Sequence, residues 1–255
     1  MRRLLVIGIG AGDPEHVTAQ AVRALNEVDV FFVVDKGGDA GDLVALRKEI
    51  CERFIEDPSY RIVEVPDPPR DRRATAYAGA VDDWRARRAQ VWGRALRDEL
   101  SDDAVGGLLV WGDPSLYDST IDVIERILAD GAVVFEYEVI PGISSVQALA
   151  ARHRIALNRV GGAVQITTGR RLSNDGWPDG VDDLVVMLDA DCSFRALDPD
   201  GVEIFWGAYL GTPDELLAAG PLAEAGSRIE ELRAEARRRK GWIMDTYLLR
   251  RRSLE

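Results

Sequence analysis

The sequence predicts an α/β protein made of two α/β domains. Three observations carry that expectation. Strand-sized apolar runs closed by glycine, proline or aspartate alternate with segments of helical periodicity through the first part of the chain. Beyond residue 155 the pattern shifts to strand-rich segments. The 255 residues, 46% of them hydrophobic, suffice to bury one large core or two smaller ones.

Residues 4–9 form a continuous apolar run stopped by Gly10-Ala11-Gly12, the pattern of a buried strand in a mainly parallel sheet. Asp13-Pro14 and Thr18 then open a helix whose Val17, Ala21, Val22 and Leu25 recur at helical spacing. A second strand over 28–34 ends at Asp35-Lys36-Gly37, and the next helix carries Leu43, Leu46, Ile50 and Phe54. Residues 60–65 make a third strand before the turn Pro66-Asp67-Pro68-Pro69. A charged helix over 74–100 offers Trp84, Val91, Ala95 and Leu96 as its buried stripe. Strand 107–111 is stopped by Gly112-Asp113-Pro114, helix 120–128 follows, and strand 133–140 leads through Pro141-Gly142-Ile143-Ser144-Ser145 into helix 146–152. Strands are then expected at 163–168, 184–188, 202–209 and 242–249, with an exposed loop at 173–183. A charged helix over 227–240 turns Ile229, Leu232 and Ala236 inward. The domain boundary falls between residues 138 and 156, which gives domains of 1–145 and 146–255.

Composition excludes several classes of function. No run of about 18 apolar residues occurs, and the opening residues lack both the apolar length and the cleavage site of a signal peptide, so a cytoplasmic protein without membrane contact is expected. Cys51 and Cys192 show no CxxC spacing, and His16 and His153 are the only histidines, so neither a metal centre nor a disulfide framework is expected. A net charge of −12 disfavours nucleic acid as a partner. An anionic substrate would therefore need a local cluster of basic residues.

Gly8-Ile9-Gly10-Ala11-Gly12-Asp13 follows a strand and precedes a helix, which invites a dinucleotide-binding reading. That fit fails at Asp13, where a third small residue is required and an acid would face the pyrophosphate. More informative is the recurrence of Gly-Asp-Pro at residues 12–14 and 112–114, each time closing a strand and opening a helix. In open parallel sheets ligands sit beyond such strand ends. Without a ligand, each aspartate would simply cap its helix and each proline occupy the first turn.

Residues 112–119 and 139–145 together resemble the signatures of the tetrapyrrole methylase family, as does the opening Gly-x-Gly-x-Gly-Asp-Pro, except that Ala11 stands where the family usually has proline. Residues 42–47, 153–159, 166–171, 206–213 and 241–247 resemble the branch that methylates precorrin-5 at position one of ring A and releases its acetyl group as acetate. The resemblance implies two α/β domains forming a cleft, the class III methyltransferase architecture. It implies S-adenosyl-L-methionine as cofactor, S-adenosyl-L-homocysteine as product, a small-molecule tetrapyrrole as substrate, and a homodimer. Carried onto this chain, the cofactor would touch Gly10, Gly112, Asp113, Leu116, Tyr117, Ser144, Ser145, Met187, Leu188, Gly207 and Ala208. Without the family context, Met187 and Leu188 lie in an apolar run and read as plain core.

Acetate release needs a base or hydrogen-bond donor, for which Asp113, Tyr117 and Asp245 are the candidates. Forked binding of the substrate's carboxylates falls to Lys36, Arg154, Arg159, Arg170 and Arg171. Residues 85–88 and 237–240 sit on charged helices and read as solvated faces, and His153 as a packed or solvated side chain. Two alternatives stay open: a methylase of another precorrin, of uroporphyrinogen or of a diphthine precursor, and a non-catalytic nucleotide-binding module.

Overall fold

The computed structural model describes residues 1–35, 41–69 and 77–252. The chain divides into two compact units, residues 1–10 with 14–144 and residues 145–255 with 11–13. Both are α/β.

The first unit holds β1 (Arg3–Gly8), α1 (Ala19–Leu25), β2 (Val30–Asp35), α2 (Gly41–Phe54), β3 (Arg61–Pro66), α3 (Tyr77–Glu99), β4 (Val105–Val110), α4 (Thr120–Asp130) and β5 (Glu136–Ile140). Its five strands run parallel in the order β3-β2-β4-β1-β5. Alternation along β1 explains why the sheet is covered on both faces. Leu4 and Val6 join Trp92 and Leu96 of α3 and Val123, Ile124 and Ile127 of α4 in one core, while Leu5 and Ile7 join Ala21, Ala24 and Leu25 of α1 and Ile50 of α2 in another. Gly107 is needed in β4 because a Cβ there would lie 2.8 Å from Val28 Cγ2 and 3.0 Å from the Phe31 ring.

The second unit contains α5 (Ser145–His153), β6 (Val164–Thr168), α6 (Gly169–Asp175), β7 (Asp183–Met187), β8 (Val202–Ala208), β9 (Leu216–Pro221), α7 (Leu222–Lys240) and β10 (Asp245–Arg251). The sheet order is β6-β7-β10-β8-β9; only β6 and β7 pair in parallel. Its core gathers Phe194, Trp206, Tyr247, Ile229 and Ala236. Among the described residues no helix is long and apolar enough to cross a membrane.

Several expectations need correction. α6 and β9 were not expected: Gly, Ser, Asn and Asp make residues 169–175 a weak helix by propensity, and the Ala-Ala-Gly-Pro stretch of β9 is strand only through pairing with β8. α7 starts at Leu222, well before residue 227. Arg88, expected on a solvated face, is 5% exposed. It pairs with Asp67 at 3.0 Å, and the rings of Trp84 and Trp92 lie 4.5 and 4.7 Å from its guanidinium. Arg85 is half-buried beside Asp122. Lys240 also departs from a solvated face, pairing with Asp214 and lying 5.6 Å from the Tyr209 ring centre.

Candidate functional site

In the first unit, three loops leave the carboxyl ends of the adjacent strands β4, β1 and β5, and glycine lets them converge. A Cβ on Gly8 would stand 2.6 Å from the amide nitrogen of Gly142 and 2.9 Å from the carbonyl oxygen of Gly112, and one on Gly142 would overlap that same oxygen. Gly10 and Gly112 form a bridge in which the Gly112 amide donates to the Gly10 carbonyl at 2.8 Å.

Asp113 fastens this convergence. One carboxylate oxygen accepts from the amide of Ser115 at 2.8 Å and from its hydroxyl, and the other accepts from the Gly142 amide at 2.9 Å. Burial works to raise the Asp113 carboxyl, but the hydrogen bonds from Ser115 and Gly142 outweigh it and hold the group below the usual carboxylate range. The aspartate therefore caps its own turn, as a helix-capping residue would, and also ties the loop after β4 to the loop after β5. Because its pKa is depressed on folding, the stabilisation is present above the ordinary carboxylate range and is lost as pH falls through the depressed value. Asp113→Asn is accordingly expected to flatten the acid limb of stability below about pH 4, read from urea midpoints across a pH series; an unchanged acid limb would contradict the latch.

Leu116 is half-buried in the same loop, and Tyr117 is 44% exposed with φ of 51°. Left-handed backbone at a tyrosine costs on the order of 1 kcal/mol and persists only where the surroundings impose it. Arg47 of α2 is a basic residue that the sequence reading did not single out. Its guanidinium lies 5.5 Å from the Trp111 ring centre; burial pulls its pKa below the ordinary value, and Asp118 opposes that pull. Lys36 lies outside the described residues.

In the second unit, strand register collects expected residues in one row. Thr246 of β10 stands opposite Met187 of β7 on one side and Gly207 of β8 on the other, and Asp245 stands opposite Ala208. The Ser145 hydroxyl meets that of Thr246 at 2.9 Å. Thr246 itself was not expected as a site residue, although it lies within the motif 241–247. Met187 is half-buried and Leu188 is 64% exposed with φ of 53°, which corrects the plain-core reading of Leu188. Tyr209, just past Ala208, also has a positive φ, of 50°. The turn at Leu210-Gly211 packs on residues 11–13: a Cβ on Gly211 would lie 2.7 Å from the Asp13 amide nitrogen.

Asp245 is enclosed. One of its carboxylate oxygens accepts from Trp206 Nε1 at 2.8 Å and from Arg233 Nε at 2.9 Å. Burial raises its pKa and Arg233 opposes that rise. Among the expected substrate arginines, Arg159 is held by the Arg251 carbonyl and Asp182, and Arg171 pairs with Asp175 at 3.3 Å. Arg154 and Arg170 are exposed. His153 is packed, with Nε2 at 3.0 Å from the Trp206 carbonyl and its ring edge-on to Phe205.

Comparison with known proteins adds four findings. The family model described as Tetrapyrrole (Corrin/Porphyrin) Methylases matches residues 3–226. The chain is 50% identical over 251 residues to the precorrin-6A synthase [deacetylating] of a Sinorhizobium species, covering 98% of this chain and 96% of that one. It aligns with a TM-score of 0.84 and 37% identity to the crystal structure of CobF, a cobalamin synthesis related protein of Corynebacterium diphtheriae, over 99% of this chain and 100% of that one. A fourth comparison bears on fold alone: the uroporphyrin-III C-methyltransferase of Thermus thermophilus, solved with S-adenyl homocysteine, aligns at TM-score 0.57 and 20% identity over 97% of this chain and 91% of that one.

Proposed function

The chain belongs to the tetrapyrrole (corrin/porphyrin) methylases, and from that membership we propose that it methylates precorrin-5 at position one of ring A and releases the neighbouring acetyl group as acetate. The observation that carries this reading is 50% identity over nearly the full length of both chains to a deacetylating precorrin-6A synthase. S-adenosyl-L-methionine is the cofactor. When bound, it supplies the electrophilic methyl group.

The residues present fit that cofactor. Leu188 offers exposed apolar surface at the end of β7, Met187 lies beside it, Gly207 and Ala208 keep the end of β8 free of bulk, and the Ser145–Thr246 pair supplies hydroxyls. In the first unit Gly10, Gly112, Leu116 and Tyr117 occupy the strand-end loops, and Ser144 follows β5. Methyl transfer to an electron-rich ring carbon depends chiefly on positioning, so these residues bind and orient rather than react.

Acetate release requires water or hydroxide to add to the acetyl carbonyl, the bond to the ring then breaking with its electron pair returned to the macrocycle; the exposure of Tyr117 supports it as the group that holds or donates a proton at the acetyl oxygen. Asp113 has both carboxylate oxygens occupied within its loops and acts by keeping them together. Asp245 is bound to Arg233 and Trp206 and acts as a buried anchor. Lys36, Arg154, Arg170 and Arg171, with Arg47 added, bind the acetate and propionate side chains of the substrate, while Arg159 contributes from a position already tied to Arg251. By the same family resemblance the enzyme works as a cytoplasmic homodimer, which sedimentation checks as a species of twice the chain mass.

The test is incubation with S-adenosyl-L-methionine and precorrin-5 under reducing, oxygen-free conditions, following S-adenosyl-L-homocysteine and acetate together. Equal release of both supports the reading. S-adenosyl-L-homocysteine without acetate leaves the family standing and points to a methylase of a different precorrin step, and failure to bind the cofactor at all removes the methyltransferase reading.

A further inference from the structure

Leu188 combines two costs, left-handed backbone without glycine and a large apolar side chain 64% exposed to water. Such a conformation persists only where neighbouring bonds impose it, and those bonds are found in the next two residues. The main-chain carbonyls of Asp189 and Ala190 both accept from Arg233, through Nη2 and through Nη1 at 3.1 Å. The third nitrogen of that guanidinium, Nε, donates to Asp245 at 2.9 Å. Arg233 is 7% exposed on α7, and the buried face it shares holds Ile229 and Ala236.

An ion pair to Asp245 would need one nitrogen. The other two are directed at the peptides that follow Leu188, and a planar fork of donors is what allows one side chain to hold two carbonyls and a carboxylate at once. Asp245 in turn begins β10, whose next residue, Thr246, faces Met187 and Gly207 across the sheet. One cation therefore joins the Leu188 turn to the row of small and apolar residues beside it.

We propose that Arg233 is a positioning residue for the cofactor, fixing the peptides after Leu188 so that this side chain stays presented at the end of β7 rather than folding back. The inference rests on the methyltransferase reading above. It assigns to Arg233 an effect on cofactor affinity and on KM for the cofactor, with little effect on the rate once cofactor saturates.

Calorimetric titration of S-adenosyl-L-homocysteine into the full chain tests it with wild type, Arg233→Lys, Leu188→Ala and the double variant. Arg233→Lys is expected to raise Kd about tenfold while kcat at saturating cofactor stays within about twofold, and the double variant to bind scarcely worse than the weaker single. Arg228→Gln, an exposed change on the same helix, is expected to bind as wild type. A folded Arg233→Lys with wild-type affinity overturns the inference, as does a double variant whose loss is the product of the two singles. If lysine prevents folding, Arg233→Gln is titrated in its place under the same criteria. Wild-type protein that binds no S-adenosyl-L-homocysteine overturns the methyltransferase reading and this inference with it, whereas wild-type binding alongside unaffected variants overturns the inference alone.

Discussion

Gly142→Ala is expected to cut methyl transfer by about a hundredfold or more, the scale on which displacement of binding loops by about an ångström acts. The added Cβ would overlap the carbonyl oxygen of Gly112 and lie 2.9 Å from the backbone of Gly8. None of those atoms is the flexible end of a side chain, so the backbone after β4 or β5 must move. That movement also stretches the hydrogen bond from the Gly142 amide to Asp113. Stability should fall by about 1–3 kcal/mol, the usual cost of overpacking, which leaves a folded protein whose initial rates can be measured. Gly79→Ala is the matched control, because a Cβ on that exposed α3 residue meets nothing within 4 Å. It should leave the rate unchanged and add about 0.5–1 kcal/mol through helix propensity. A Gly142→Ala enzyme with near wild-type rates would show that the three-loop convergence has no part in catalysis.

The largest effect on stability is expected from Asp189→Ala, at about 3–5 kcal/mol in urea denaturation. Asp189 is 5% exposed, and its carboxylate accepts from the amides of Asp191 and Ser193 at 3.0 and 2.6 Å, the Ser193 hydroxyl at 2.9 Å and the Tyr247 hydroxyl at 2.7 Å. The same Ser193 Oγ lies 2.8 Å from the Gly169 carbonyl, so its one proton is shared between that oxygen and the carboxylate, and a Cβ on Gly169 would overlap the aspartate, so α6, the loop after β7 and β10 meet at this one side chain. Removing it strands the Ser193 amide and the Tyr247 hydroxyl away from water. Burial, with Asp189 beside it, pushes the Tyr247 phenol far above its ordinary range, so it remains a donor throughout the working pH range. Tyr247→Phe deletes a donor and leaves an acceptor with three other partners; it should cost only about 1 kcal/mol. If the two variants proved equally mild, the carboxylate could not be the organising group.

The parts of this molecule that were legible in the sequence are those that depend on nearby residues. The apolar runs of β1, β2 and β4, their Gly-Asp-Pro stops and the Pro-Gly turn after β5 are short-range signals, and the strands and loops stand where those signals put them, within a residue or two. What escaped depends on long-range partners. Thr246 acquires its place only from the register that sets it opposite Met187 and Gly207, residues 59 and 39 positions away in the chain. Arg88 and Arg233 look like any arginine on a charged helix until Asp67 and Asp245 are brought against them. Leu188 shows the opposite case: its apolar neighbours alone read as core, whereas it is exposed with a left-handed φ, and only the family resemblance set it apart in the sequence. β9 was invisible because Leu-Leu-Ala-Ala-Gly-Pro has little strand propensity and gains its conformation from β8.

The strand order of the second unit also governs how a growing polypeptide can assemble it. β10 lies between β7 and β8, yet it follows β6 to β9 and the whole of α7 along the chain. Until the ribosome has supplied it, β7 and β8 each offer an unpaired edge of mostly apolar residues, 184–187 in one and Val202, Ile204, Phe205 and Trp206 in the other, open to pairing with a neighbouring nascent chain. A translation pause after α7 therefore leaves two half-sheets, β6 with β7 and β8 with β9, waiting for the same missing strand.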